Sequence, residues 1–203
     1  LVLSVTYGWS EDNELSILYE ASTDADTLFN VTNHGYFNLN GEGSGDILSH
    51  ELFIDADEIT ELDDTQAPTG TILSVEGTPF DFRTMHTIGK FIHSDYEQFK
   101  KFGTYDHNFI INGNGLREAA VLQSKDSGIR MTCFTDQPGV QLYVANQPQD
   151  LLGKAGKSYD AFTSVCLETQ HFPDAINHDN FPSIVLKPEE PFRSKTLYHF
   201  STF

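Results

Sequence analysis

Positive charge is scarce in this sequence. Twelve Lys+Arg stand against 30 Asp+Glu in 203 residues, a net charge of −18. No basic stripe is present to meet phosphates, which argues against nucleic acid and anionic membrane as partners. Cysteine is scarcer still, with only Cys133 and Cys166. A disulfide-stapled scaffold would be denser in Cys, so two buried thiols in a reducing, cytoplasmic compartment are expected. No apolar run approaches the ~18 residues of a membrane span, and no signal-peptide pattern is visible. There is no His-Glu-x-x-His, no zinc-type Cys pair and no Gly-x-Ser-x-Gly elbow, so neither a zinc site nor a serine hydrolase is indicated. Repeats, linkers and low-complexity tracts are also missing, and residues 1–203 are expected to form one domain.

What is present is period-two alternation. Leu1, Leu3, Val5 and Tyr7, then Leu15, Ile17, Tyr19 and Ala21, read as a hairpin around a polar turn at Ser10–Asn13. Further strands are expected over 28–32, 50–56, 71–75, 109–111, 119–124, 130–135, 140–145, 162–167, 183–186 and 196–200. Asp63-Asp64, Ala67–Gly70, Asn112–Gly115 and Asp126–Gly128 read as turns. Gly41–Asp46 has neither the spacing nor the Lys-Ser/Thr ending of a phosphate loop and reads as a plain loop. Helical spacing occurs only within 88–102, where Ser94 or Asp95 is placed to cap and Gly103 to terminate. Many short strands with little helix predict an all-β sandwich or barrel.

The stretch Val165–Ser183 is the densest in chemistry. An apolar run delivers Glu168 into a segment of amides and aromatics, and Pro173 and Pro182 mark the exit. A strand end presenting an acid suits acid/base work on a polar ring; a solvated Glu is the plain alternative. Four stretches stand in order: Thr32-Asn33-His34-Gly35-Tyr36-Phe37-Asn38-Leu39, Tyr105-Asp106-His107-Asn108-Phe109, Gln137-Pro138-Gly139-Val140-Gln141-Leu142-Tyr143, and Leu167-Glu168-Thr169-Gln170 with Phe172-Pro173-Asp174-Ala175 and Phe181-Pro182-Ser183. Together they resemble the galactose mutarotase (aldose 1-epimerase) family, over about Leu3 to Ser201.

That resemblance implies a large antiparallel β-sandwich, the galactose mutarotase-like supersandwich, with a neutral hexose such as galactose or glucose bound in an open cleft. It implies interconversion of α and β anomers: a base takes the C1 hydroxyl proton, an acid protonates the ring oxygen, and closure after rotation reverses both roles. Glu168 matches the family's base and His34 its acid. Asp106 and Gln141 match positions that contact sugar hydroxyls, and carboxylate and amide suit paired hydroxyls because each offers several directional hydrogen bonds. No metal or organic cofactor is required. His107 reads as structural, and Tyr36, Phe37 and Tyr143 read as either a wall for the sugar or core. Burial of Glu168 among Phe172 and other aromatics would raise its basicity.

The resemblance is to the C-terminal part of the family pattern. Its Asn-Arg pair and its second histidine, in a Leu-His-Gly-Gly context, do not occur in this sequence. The expectation is therefore a sandwich without its N-terminal strands and with a raw edge near Leu1–Tyr19. Three readings stand open: a fragment of a full enzyme, a chain that pairs with itself or with a separate N-terminal segment, and a carbohydrate-binding remnant. A sugar-phosphate epimerase would want cations at the site, and Arg83, Arg117, Arg130 and Arg193 lie outside the motifs.

Overall fold

The computed structural model describes residues 1–147 and 149–203. The strands, in chain order, are β1 (Val2–Trp9), β2 (Glu14–Ser22), β3 (Thr27–Leu28), β4 (Glu51–Ile54), β5 (Ala56–Leu62), β6 (Pro68–Ser74), β7 (His86–Thr87), β8 (Asp106–Ile111), β9 (Arg117–Ser124), β10 (Ile129–Thr135), β11 (Gly139–Val144), β12 (Gln149–Leu152), β13 (Ser158–Tyr159), β14 (Val165–Gln170), β15 (Val185–Leu186) and β16 (Phe192–Thr202). A seven-stranded sheet runs β1-β2-β16-β10-β9-β4-β7, and a five-stranded sheet runs β14-β11-β8-β5-β6. Neighbours pair antiparallel in both. The all-β expectation holds.

Alternation decides what each face does. Ile59, Phe109, Ile111, Val140, Leu142, Val144, Val165 and Leu167 of the smaller sheet meet Ile17, Tyr19, Leu52, Ile54, Leu122, Met131, Cys133 and Tyr198 of the larger one in a single core. The residues between them on β8, β11 and β14 leave by the opposite face of the smaller sheet, and that face carries the site. Both cysteines are free and buried, as expected.

Several boundaries differ from the sequence reading, each for a local reason. The strand expected over 50–56 is two: β4 belongs to the larger sheet and β5 to the smaller. The chain crosses between sheets at Asp55, whose N–H donates to Ala119 O and whose carbonyl accepts from Asn112. β5 escaped because Glu58 and Glu61 interrupt its apolar pattern. The turn expected at Ala67–Gly70 is already strand. The reversal falls where Asp63-Asp64 was expected to turn: Asp63 Oδ1 accepts from the Thr65 and Ala67 amides, with Gln66 in the left-handed region at φ 68. Pro68 heads β6 on the sheet edge, where a missing N–H is tolerated. Residues 28–32 and 183–186 form only a two-residue pairing, β3 with β15.

The helical region contracts to a 3-10 turn, Ile88–Phe91, and one α-helix, α1 (Glu97–Phe102). Gly103 ends α1 at φ 65, as expected. Neither Ser94 nor Asp95 occupies the N-cap. Tyr96 does, and its amide donates to Ser94 Oγ at 3.2 Å.

β1 is the outer strand of the larger sheet and is nearly bare. Leu3, Val5 and Tyr7 pair with Ala21, Tyr19 and Ile17, which are buried. They therefore lie on the core-side face, yet Tyr7 and Trp9 are 63% and 65% exposed. The core-side face of the larger sheet continues past the point that the smaller sheet covers.

Candidate active site

Three adjacent strands present the site in register. Glu168 of β14 pairs with Gln141 of β11, which pairs with Asn108 of β8. One rung along, Cys166 pairs with Tyr143, which pairs with Asp106. The other way, Gln170 pairs with Gly139, which pairs with Ile110. Period two puts all of these on the face away from the core.

His34 comes from a loop, held at both ends. Before it, Asn33 donates Nδ2–H to the buried Tyr198 hydroxyl at 3.0 Å, and that hydroxyl donates to Leu167 O on β14 at 2.7 Å. After it, Phe37 forms a two-bond bridge with Val165, at 2.8 and 3.0 Å. The imidazole between these anchors reaches Glu168, with Nε2 3.3 Å from Oε1. Gly35 has an ordinary φ; a Cβ there would touch the Phe37 ring at 3.3 Å and Asn33 Oδ1 at 3.4 Å.

The electrostatics separate the two partners. Glu168 is 7% exposed, and burial, with the nearby Asp106 charge, pushes its carboxyl up to about 7. The His34 side chain remains 49% exposed. Asp106 is also raised by burial, with the Gln141 hydrogen bond and His34 opposing. Gln141 Nε2 donates to Asp106 Oδ1 at 2.7 Å, and Gln141 Oε1 accepts from Gln170 Nε2 at 3.4 Å. A buried carboxyl touching a half-exposed imidazole and an amide–carboxylate chain thus share one face, with donors and acceptors suited to a polyol.

All four residues expected at the site, Glu168, His34, Asp106 and Gln141, are brought together. The aromatic trio is not. Tyr36 stacks on His34 with ring centroids 4.9 Å apart, and Tyr143 meets His34 edge-on at 5.8 Å, whereas Phe37 packs on Tyr198 in the core. Phe172 lies in a small cluster with Ala175 and Phe181. His107 is structural: it is buried, its Nε2–H donates to Gln98 Oε1 at 3.2 Å, and burial holds it neutral with a pKa of about 3.

Cys166, Gln170 and Asn108 were missed by sequence reasoning. Each lies two residues from an expected site residue on the same strand, and that spacing was the available signal. Asn108 is 1% exposed, and neither side-chain atom finds a partner. It lies against Gly139, where a Cβ would collide with Asn108 Oδ1 and approach the Phe172 ring at 3.2 Å. The arginines are engaged elsewhere: Arg83 with Asp57 and Asp81, Arg117 with backbone carbonyls, Arg130 with Gln123 and Arg193 with Glu20.

Comparison with known proteins shows the family and the fold. The sequence profile of the family described as Aldose 1-epimerase matches residues 1–199, and the chain belongs to that family. It is 40% identical over 193 residues to a galactose mutarotase from Bos taurus, covering 94% of this chain and 55% of that protein. It is 36% identical over 201 residues to an aldose 1-epimerase from Escherichia coli K12, covering 97% of this chain and 58% of that one. A crystal structure of an aldose epimerase homologue from C. elegans superposes with a TM-score of 0.88 at 34% identity, over 98% of this chain and 59% of the other. The chain thus spans little more than half the length of the relatives it matches.

Proposed function

We propose that this chain carries the proton-transfer half of an aldose 1-epimerase acting on a neutral hexose, galactose or glucose. The observation that carries this reading is the His34–Glu168 contact at 3.3 Å with Glu168 pushed up to about 7. A base poised near neutrality both takes and returns a proton at physiological pH.

The C1 hydroxyl oxygen and the ring oxygen are bonded to the same carbon, so an acid and a base in contact can serve both. Glu168 takes the C1 hydroxyl proton as the C1–ring oxygen bond breaks, and His34 gives its proton to the ring oxygen. Rotation about C1–C2 turns the other carbonyl face, and the reverse transfers close the ring as the other anomer. Asp106 and Gln141 hold hydroxyls, Tyr36 and Tyr143 flank the ring, and no cofactor enters the scheme. The contact between Glu168 and His34 favours a sugar that meets both along one edge.

The bare core-side face of β1 is the docking surface for a further segment of the family fold, one bearing its Asn-Arg pair and second histidine. Relatives have that extra length, and the exposed Leu3, Val5, Tyr7 and Trp9 are apolar and strand-paired on one side only.

Polarimetry of freshly dissolved α-D-galactose tests the activity, comparing the chain, Glu168→Gln and buffer. Acceleration by the chain and not by the variant is the expected result. A chain indistinguishable from buffer, alone and with the N-terminal segment of a homologue added, sinks the reading.

A further inference from the structure

The proton-transfer pair has a third neighbour that the reaction leaves idle. Cys166 precedes Glu168 by two residues on β14, so its thiol leaves by the site face, whereas Cys133 belongs to the core between the sheets. One potential ligand atom from each of His34, Cys166 and Glu168 lies within 4.8 Å of the other two.

We propose that His34, Cys166 and Glu168 form a binding site for a divalent cation of zinc type, and that the bound ion blocks the site. Imidazole nitrogen, thiolate sulfur and carboxylate oxygen are the donors that Zn²⁺ takes at about 2.0–2.3 Å. A cation that prefers an all-oxygen shell, such as Mg²⁺ or Ca²⁺, finds a poor match. Ligand atoms around a tetrahedral zinc stand about 3.5 Å apart by those bond lengths. The His34–Glu168 pair, at 3.3 Å, already has that separation. The thiol closes the remaining gap by a shift of about 1 Å, within reach of side-chain rotation.

Two of the ligands sit on one strand two residues apart, so their separation is fixed by the pleat. The third comes from the half-exposed loop residue, which supplies the entry path and the adjustable member. Three protein ligands leave the fourth position facing the cleft. Asp106, near enough to raise the Glu168 carboxyl, adds negative charge beside the ion. An ion held there occupies the lone pairs of both the acid and the base. It is therefore an inhibitor of proton transfer, and none of the proposed chemistry needs it.

Cobalt(II) is the probe, because a thiolate ligand gives it a charge-transfer absorption in the near ultraviolet that nitrogen and oxygen ligands do not. Titrating the chain with Co²⁺ should produce that band, and Zn²⁺ should abolish it by displacement. Cys166→Ser should lose the band and Cys133→Ser should keep it. His34→Ala, a change in an exposed loop, should weaken Co²⁺ binding more than about tenfold, since even the outer partners of metal ligands are worth that much. A saturating titration with no charge-transfer band overturns the proposal, as does a band that survives Cys166→Ser. Should Cys166→Ser fail to fold by circular dichroism, His34→Ala decides: unchanged Co²⁺ affinity overturns the site, and weakened affinity with a native spectrum supports it.

Discussion

Asn33 and Tyr198 are far apart in the chain, yet the Asn33 amide donates to the Tyr198 hydroxyl at 3.0 Å, and the same hydroxyl donates to the carbonyl of Leu167. One buried oxygen therefore ties the residue before His34 to the residue before Glu168. Tyr198→Phe removes both bonds without changing the packing volume. The expected cost is about 1–3 kcal/mol, the range for leaving a buried polar group unpaired. It should appear as a lower urea midpoint, with a larger loss in mutarotation rate than in sugar binding.

Burial of Glu168 has a signature in stability. Its folded pKa, about 7, is raised above the usual glutamate range, so the folded state holds a proton that the unfolded chain has already released. The native state consequently loses stability as pH rises from about 4.5 to 7. Glu168→Gln removes that titration. Its melting temperature should exceed that of the parent at pH 8 and converge with it at pH 4, by thermal melts across the range.

Under the proposed function the same carboxyl governs the rate profile. Mutarotation should fall as pH drops through about 7, where the base becomes protonated. Asp106→Asn deletes the neighbouring negative charge while leaving an oxygen for the Gln141 amide. The acid limb should then move to lower pH, and KM should rise because a hydrogen bond to a charged group, worth about 1.5–3 kcal/mol, is lost. An acid limb that stays in place would separate Asp106 from Glu168.

Gly139→Ala tests the floor of the site. The added methyl meets Asn108 Oδ1 and the Phe172 ring. Overpacking of this kind costs about 1–3 kcal/mol, readable as a shift in the denaturation midpoint.

β1 offers a test that does not depend on chemistry. Val5→Lys with Tyr7→Lys places two charges on the bare face. If a second copy covers that face, sedimentation velocity should show the parent larger than the variant. If the cover is a separate segment of the family fold, the two should sediment alike in isolation, and only the parent should bind the segment.

Most of the larger sheet was legible in the sequence, because strands such as β2 and β10 alternate cleanly between core and outside. β5 was not, since acidic residues on its outer face break the apolar rhythm. The 63–66 reversal was legible at Asp63-Asp64, but Ala67–Gly70 was read as a second turn, because a Pro-Gly signal has the same sequence appearance at the head of an edge strand. Glu168, His34, Asp106 and Gln141 were singled out through their motifs, but the contact between the first two depends on a loop pinned by Tyr198 from the far end of the chain. No local pattern announces such a tie. Cys166 went unread as a site residue for a different reason: a lone cysteine in an apolar run has the same sequence appearance on either face of a strand.

Because the site and the core occupy opposite faces of the same three strands, their side chains alternate one for one. Deleting a single residue between Val165 and Glu168 would bring Leu167 or its neighbour into the cleft and drive a carboxylate into the apolar interior. These strands accept exchange of one side chain for another, but not a change in count. Length variation has to be housed in connections such as 41–46 and 113–116, where added residues do not alter the parity on which the cleft depends.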